Sequence, residues 1–198
     1  VEDPSLTLIF CHTKRDVDDV SGKLQQMGYH AGAIHGDFTQ SHRDEVMGKF
    51  KKGKIDILVA TDVAARGLDI PDVSHVINFS IPQDPDGYIH RIGRTGRAGK
   101  SGIALTFVTP REYRQLRIIE QSAKTKIKKA KLPTKDEVRQ ARAEEVISNL
   151  KDEISEGRHA KYLSFVEGLS ENYSYQDIAA SALSIMLGDM VDDIEEPG

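Results

Sequence analysis

The sequence predicts an α/β domain, an open parallel sheet flanked by helices, followed by a small all-α tail. Three observations carry this. Up to residue 110, short runs rich in Ile, Val, Leu and Phe alternate with longer stretches of helical periodicity. After Pro133, three amphipathic helical patterns follow one another. The charge divides at the same place: 21 Lys+Arg stand against 16 Asp+Glu up to Leu132, a balance of +5, and 6 against 15 beyond it, −9, within a net −4.

The β-rich runs are 7–11, 31–35, 56–60, 75–79 and 103–108. Their near-continuous apolar character is that of parallel strands buried on both faces. The intervening stretch 15–27 places Val17, Val20, Leu24 and Met27 on one face and ends at Gly28. Stretch 40–50 repeats the pattern with Val46, Met47 and Phe50 before Gly53. Strand–helix alternation of this kind builds βαβ units, and such sheets bind ligands in the crevice at the carboxyl ends of their strands. Thr13, Gly36, Thr61 and Ser80 all follow strand ends, so polar positions far apart in sequence are expected on one rim.

A basic stretch, Lys124 to Lys131, precedes Leu132-Pro133 and reads either as a solvated linker or as an auxiliary phosphate contact. Thr134 and Glu137 have capping-box spacing, so a helix starts there. Val138, Ala141, Val146, Leu150 and Ile154 continue its apolar stripe as far as Gly157. A second helix carries Tyr162, Phe165, Val166 and Leu169, and a third, capped by Ser174, carries Ile178, Ala182, Leu183, Ile185, Met186 and Met190. Three short helices bury little surface among themselves. Their stripes are therefore expected either to dock within the chain or to meet those of a second copy across a twofold axis, and the homodimer is favoured. The expected division is 1–123 for the α/β domain, 124–133 for the linker, 134–190 for the helical domain and 191–198 for an acidic, frayed end.

Residues 88–99 concentrate three arginines, Arg91, Arg94 and Arg97, at helical spacing among Gly93, Gly96 and Gly99. Planar guanidinium forks suit phosphate oxygens, and glycines let backbone come close. A solvated basic turn accounts for one or two arginines beside a glycine, not for three of each in this order. The string His90 to Arg97, HRIGRTGR, resembles the last conserved motif of the DEAD-box RNA helicases. Ala60 to Ile70, ATDVAARGLDI, is similar to the preceding motif, Leu8 to Thr13 to the one before it, and His35-Gly36-Asp37 with Gln40 to Arg43 to a fourth. The tail resembles, by its pattern and by 175–180, the helical dimerisation region of bacterial cold-shock-type members.

The resemblance implies a RecA-like C-terminal domain, the second half of a two-domain ATP-driven motor. By family position, Arg94 and Arg97 reach the terminal phosphate of ATP. Asp69 contacts the ribose, with a simple turn carboxylate before Ile70-Pro71 as its rival, and Gly67 frees the backbone beside it. Arg43, Thr61, Gly36, Asp37 and Thr13 grip the RNA sugar-phosphate backbone, while His90, Arg91 and Arg66 couple the two domains. With only twelve aromatics, and those near the motifs in strand-like runs, RNA binding is expected to be independent of base sequence and weakened by salt.

The parts missing from the motor are expected elsewhere. The only phosphate-loop candidate, Gly99-Lys100-Ser101, has Arg94 where a glycine is needed. No strand ends in Asp-Glu-Ala-Asp, and no metal site is read from this chain. ATP with Mg2+ is thus expected to sit mainly on a preceding N-terminal RecA-like domain, leaving this piece inactive by itself. Two rivals remain: a non-enzymatic RNA- or protein-binding module on a motor-like fold, and half of a DNA translocase of the same superfamily. Cys11 follows three apolar residues and reads as a core residue, which leaves no disulfide framework. With no apolar run of membrane length and no secretory signal at the amino terminus, the default expectation is cytoplasmic and away from membranes.

Overall fold

The computed structural model describes residues 6–97, 99 and 101–187. Met190 and the acidic end at 191–198 lie outside these described residues. The chain divides into two compact units, Val1–Lys128 and Lys129–Gly198.

The first unit holds five parallel strands, β1 (Thr7–Cys11), β2 (Ala31–Ile34), β3 (Ile57–Thr61), β4 (His75–Asn78) and β5 (Ile103–Thr106). Their spatial order is β2-β3-β1-β4-β5. Central β1 pairs with β3, Leu8 facing Leu58, and with β4, Leu8 facing Val76. Because side chains alternate along a strand, β1 serves two cores. Leu8 and Phe10 meet Val46, Met47 and Phe50 of α2 (Gln40–Lys51) and Ala64 and Ala65 of α3 (Asp62–Ala65). Ile9 and Cys11 meet Val17, Val20 and Leu24 of α1 (Lys14–Gln26) on the opposite face. Burial beneath α1 pushes the Cys11 thiol up to about 12, with Asp16 reinforcing the shift and Arg91 opposing it, so the thiol stays protonated at neutral pH.

A third cluster joins Ile81 and Tyr88 of α4 (Pro85–Ile92) and its approach to Ile119 of α5 (Tyr113–Ser122). Helix α5 is entered through a short 3-10 turn, Pro110–Glu112. Glu112 Oε2 accepts from the Thr109 backbone N–H at 2.8 Å and from its hydroxyl at 2.7 Å. Ile127 packs on this cluster, and its N–H donates to Glu120 Oε1 at 2.8 Å, which ties the start of the basic stretch to the first unit.

Helix α4 stops at Ile92, so the three arginines do not share one helical face. The backbone after Gly93 is captured by the segment entering β4: Val73 N–H donates to Arg94 O at 3.1 Å, and Thr95 Oγ1 donates to Val73 O at 2.5 Å. Gly102 permits this approach, since a Cβ there would collide with Thr95 Oγ1 and the Gly96 nitrogen.

In the second unit, α6 (Lys135–Ser155) starts with the expected capping box, Glu137 N–H donating to Thr134 Oγ1 at 3.2 Å and Thr134 N–H to Glu137 Oε2 at 2.7 Å. A left-handed Gly157, φ 69°, ends it. A 3-10 turn (Arg158–Tyr162) leads into α7 (Leu163–Ser170), and α8 (Tyr175–Leu187) packs on α6 and α7. Ser174 Oγ accepts the Asp177 N–H at 3.1 Å and so caps α8. No helix among the described residues is long and apolar enough to cross a membrane.

Candidate functional site

Most of the anticipated residues fall into two groups, the first of them at the rim formed by the carboxyl ends of the strands. In the first, Thr13 and Thr61 act as helix N-caps, accepting from Asp16 N at 3.1 Å and Ala64 N at 3.4 Å. Each hydroxyl proton remains available to another acceptor. Lys14 Nζ donates to both Asp37 oxygens at 2.6 and 2.9 Å, and this bond holds the Asp37 carboxyl below its usual range. Gly36 is exposed, with nothing within 4 Å of where a Cβ would stand. Arg43 is half-buried and already engaged: Nη2 donates to Ala64 O at 2.9 Å and Nη1 reaches Gln40 Oε1 at 3.4 Å, while buried Nε has no acceptor. It therefore ties α2 to α3 as well as facing the rim.

The second group lies between α3 and α4, where Asp62, Arg66, Gly87, His90, Arg91 and Arg94 line a small crevice of about 30 Å³, with room for water and nothing larger. Arg91 is only 1 % exposed. Its Nε and Nη2 donate to the two Asp62 oxygens at 2.7 and 2.6 Å, and its Nη1 donates to Asn78 Oδ1 at 3.1 Å and Ser80 O at 2.7 Å. The guanidinium also sits over the Phe10 ring, 5.1 Å from its centre. The Arg91 charge is thus satisfied inside the domain. Arg94 and Arg66 line the same crevice and make no ion pair among the described residues. Arg97 is exposed and its Nε donates to Gly93 O at 2.6 Å.

Asp69 stands apart from this crevice. Its exposed carboxylate accepts from Lys51 Nζ at 2.6 Å, which holds its pKa below the usual range. Gly67, φ 78°, supplies the left-handed turn that leads the chain out of α3 toward it. No group of three or more His, Cys, Asp or Glu among the described residues could hold a metal ion.

Several partners escaped the sequence reading. Asp62 sits inside the DVAARG string, yet its pairing with Arg91 is a contact across 29 positions. Asn78 and Lys51 carry no local signal at all. The α5 entry was legible, since Thr109 and Glu112 have capping-box spacing with Pro110 between them.

Residues 1–99 match the family described as the helicase conserved C-terminal domain, and residues 133–197 match the RNA helicase DeaD dimerization domain. The chain is 50% identical over 186 residues to an ATP-dependent RNA helicase CshA of Listeria monocytogenes, covering 94% of this chain and 36% of that protein. It is 47% identical over 185 residues to a DEAD-box ATP-dependent RNA helicase CshA of Bacillus subtilis, covering 93% and 37%. The chain thus spans little more than a third of the curated relatives it matches. Among solved structures, a DEAD box protein of Methanococcus jannaschii superposes with TM-score 0.61 at 53% identity, over 64% of this chain and 35% of that one. Escherichia coli SrmB, bound to regulator of ribonuclease activity A, superposes with TM-score 0.62 at 34% identity, over 68% and 84%.

Proposed function

The chain belongs to the DEAD-box RNA helicases, as their C-terminal RecA-like domain followed by a DeaD dimerization domain, and from that premise we propose that it is the second motor half of an ATP-dependent enzyme. In this reading ATP and Mg2+ are held mainly by a preceding RecA-like domain, and this chain completes the site. Phosphoryl transfer asks a protein mainly to position reactants and to neutralise charge spreading over the transferred oxygens. One observation carries the reading: Arg94 lies half-buried at the crevice between α3 and α4 and makes no ion pair among the described residues, while its neighbour Arg91 is fully neutralised. Desolvated but uncommitted guanidinium is suited to incoming phosphate oxygens.

Arg97, more exposed and with Nε donating to Gly93 O, is the second arginine for the phosphates. Asp69 accepts ribose hydroxyls, exchanging or sharing its bond to Lys51, and Gly67 lets backbone approach. The guanidinium donors and the carboxylate acceptor fit a nucleotide presented from outside, since the crevice itself cannot enclose one. Thr13, Gly36, Asp37, Arg43 and Thr61 form the RNA side, where hydroxyl protons, a bare amide, the Arg43 guanidinium and the Lys14-paired Asp37 carboxylate meet a sugar-phosphate chain without reading bases. Arg66 and His90 line the open side of the crevice and serve the junction with the other domain, with Arg91 acting through its hold on Asp62.

The test is hydrolysis by the full-length protein, stimulated by RNA and far less by DNA, with none by this chain alone. Steady turnover by the isolated chain, or equal stimulation by DNA, would overturn the assignment.

We further propose that the tail forms a homodimer. Within it, Phe165 is 71% and Ile185 82% exposed, with Ile154, Tyr162, Leu169 and Met186 also open. Val146 is buried, and Leu150, Val166, Ile178 and Leu183 are half-buried, so these serve the interior more than a partner. Phe165→Glu together with Ile185→Glu should convert a dimer into a monomer in sedimentation, whereas a wild-type chain that sediments as a monomer sinks the proposal.

A further inference from the structure

Resting on the RNA-binding reading above, we propose that the RNA track continues beyond those residues into a second cleft, between the carboxyl ends of β1 and β4, with Arg111 as its phosphate ligand. The strand order β2-β3-β1-β4-β5 sets the order of groups along the rim. Gly36 follows β2, Thr61 ends β3 and Thr13 follows β1, so the RNA residues named so far occupy one side only. Beyond them the rim runs on past β4 and β5 for two further strands, roughly 10 Å at the usual strand spacing.

Between β1 and β4 the connections diverge. Helix α1 packs on the face of Ile9 and Cys11, whereas α4 brings Arg91 over Phe10 on the other. Such a switch point opens a crevice at the strand ends, the usual ligand site of this architecture. A cleft of about 510 Å³ lies there, within the size range of small-ligand sites. Ile81 and Pro82 give it an apolar floor, and His12, Gln83, Gln115 and Arg111 converge on it. Gln115 Nε2 donates to Gln83 O at 2.6 Å, and Gln83 Nε2 lies 2.9 Å from His12 Nε2, so the walls are tied together across β1, β4 and α5.

Arg111 is exposed and makes no hydrogen bond or ion pair among the described residues. The other charge at its level, Glu112, is committed to capping Thr109. An uncommitted guanidinium beside an apolar floor and amide side chains suits one phosphate with its attached sugar or base.

The test uses the full-length protein with a nonhydrolysable ATP analogue and single-stranded RNA shortened one nucleotide at a time from either end. Wild-type affinity should step down when the nucleotide over the cleft is removed, and Arg111→Ala should erase that step. It should also shrink the slope of log affinity against log salt by about 0.7 for the lost phosphate contact, with hydrolysis at saturating RNA unchanged. An Arg111→Ala variant that keeps both the step and the slope, or that loses affinity equally at every length, overturns the cleft assignment while leaving the wider RNA reading intact. If wild type itself binds no RNA with the analogue, that reading fails first and the cleft proposal falls with it.

Discussion

An Arg94→Ala variant of the full-length protein hydrolyses ATP ~10³–10⁵-fold more slowly than wild type at saturating RNA, the scale associated with an arginine supplied to a phosphoryl-transfer site. RNA affinity stays close to that of wild type. The size of the effect follows from geometry: Arg94 is half-buried at the crevice mouth, without an ion pair among the described residues, so its charge is available and little screened. Losing it strands no partner and should leave the fold intact. Arg94→Lys should rescue poorly, because a point charge cannot reproduce two parallel N–H donors. Steady-state hydrolysis and RNA titration on the same preparation check this. A loss under tenfold, or equal losses of hydrolysis and RNA affinity, would remove Arg94 from the catalytic role.

An Asp62→Ala variant should be destabilised by about 3–5 kcal/mol, the cost of stranding a buried charge. The pair is asymmetric. Arg91 is 1% exposed and the Asp62 side chain 40%. Removing Asp62 leaves a cation inside the domain with only Asn78 Oδ1, Ser80 O and the Phe10 ring to hold it. Removing the charge of Arg91 instead, as in Arg91→Met, leaves a carboxylate that can turn toward water, and the methionine retains part of the packing. Denaturant unfolding should rank Asp62→Ala well below Arg91→Met in stability. The reverse order would show that Asp62 matters through something other than neutralising Arg91. Because this pair joins α3 to α4, both variants should also slow hydrolysis by loosening Arg94 and Arg66.

The contrast among the three arginines shows how far sequence reading reaches. Their spacing and chemistry pointed to phosphate, and as residue types they were equivalent. Folding makes them unequal. Helix α4 ends at Ile92 because the Val73–Ser74 segment takes up the hydrogen-bonding groups of Arg94 and Thr95, so Arg91 turns inward, Arg94 stays at the crevice and Arg97 faces outward. Nothing local to 88–99 announces a contact with residue 73. Asp69 likewise carried its chemistry in its motif, but the lysine that holds it ionised lies 18 positions away at the end of α2.

By itself the sequence determined the strand–helix alternation, the caps at Thr134 and Ser174, and the family-specific strings, because periodicity, capping and motif order are local properties. Tertiary structure alone decided which charges are spent and which are free, since burial and pairing depend on contacts between distant segments. That division separates Arg91, a cation consumed in holding two helices together, from half-buried Arg94 and exposed Arg111, which keep charge to offer.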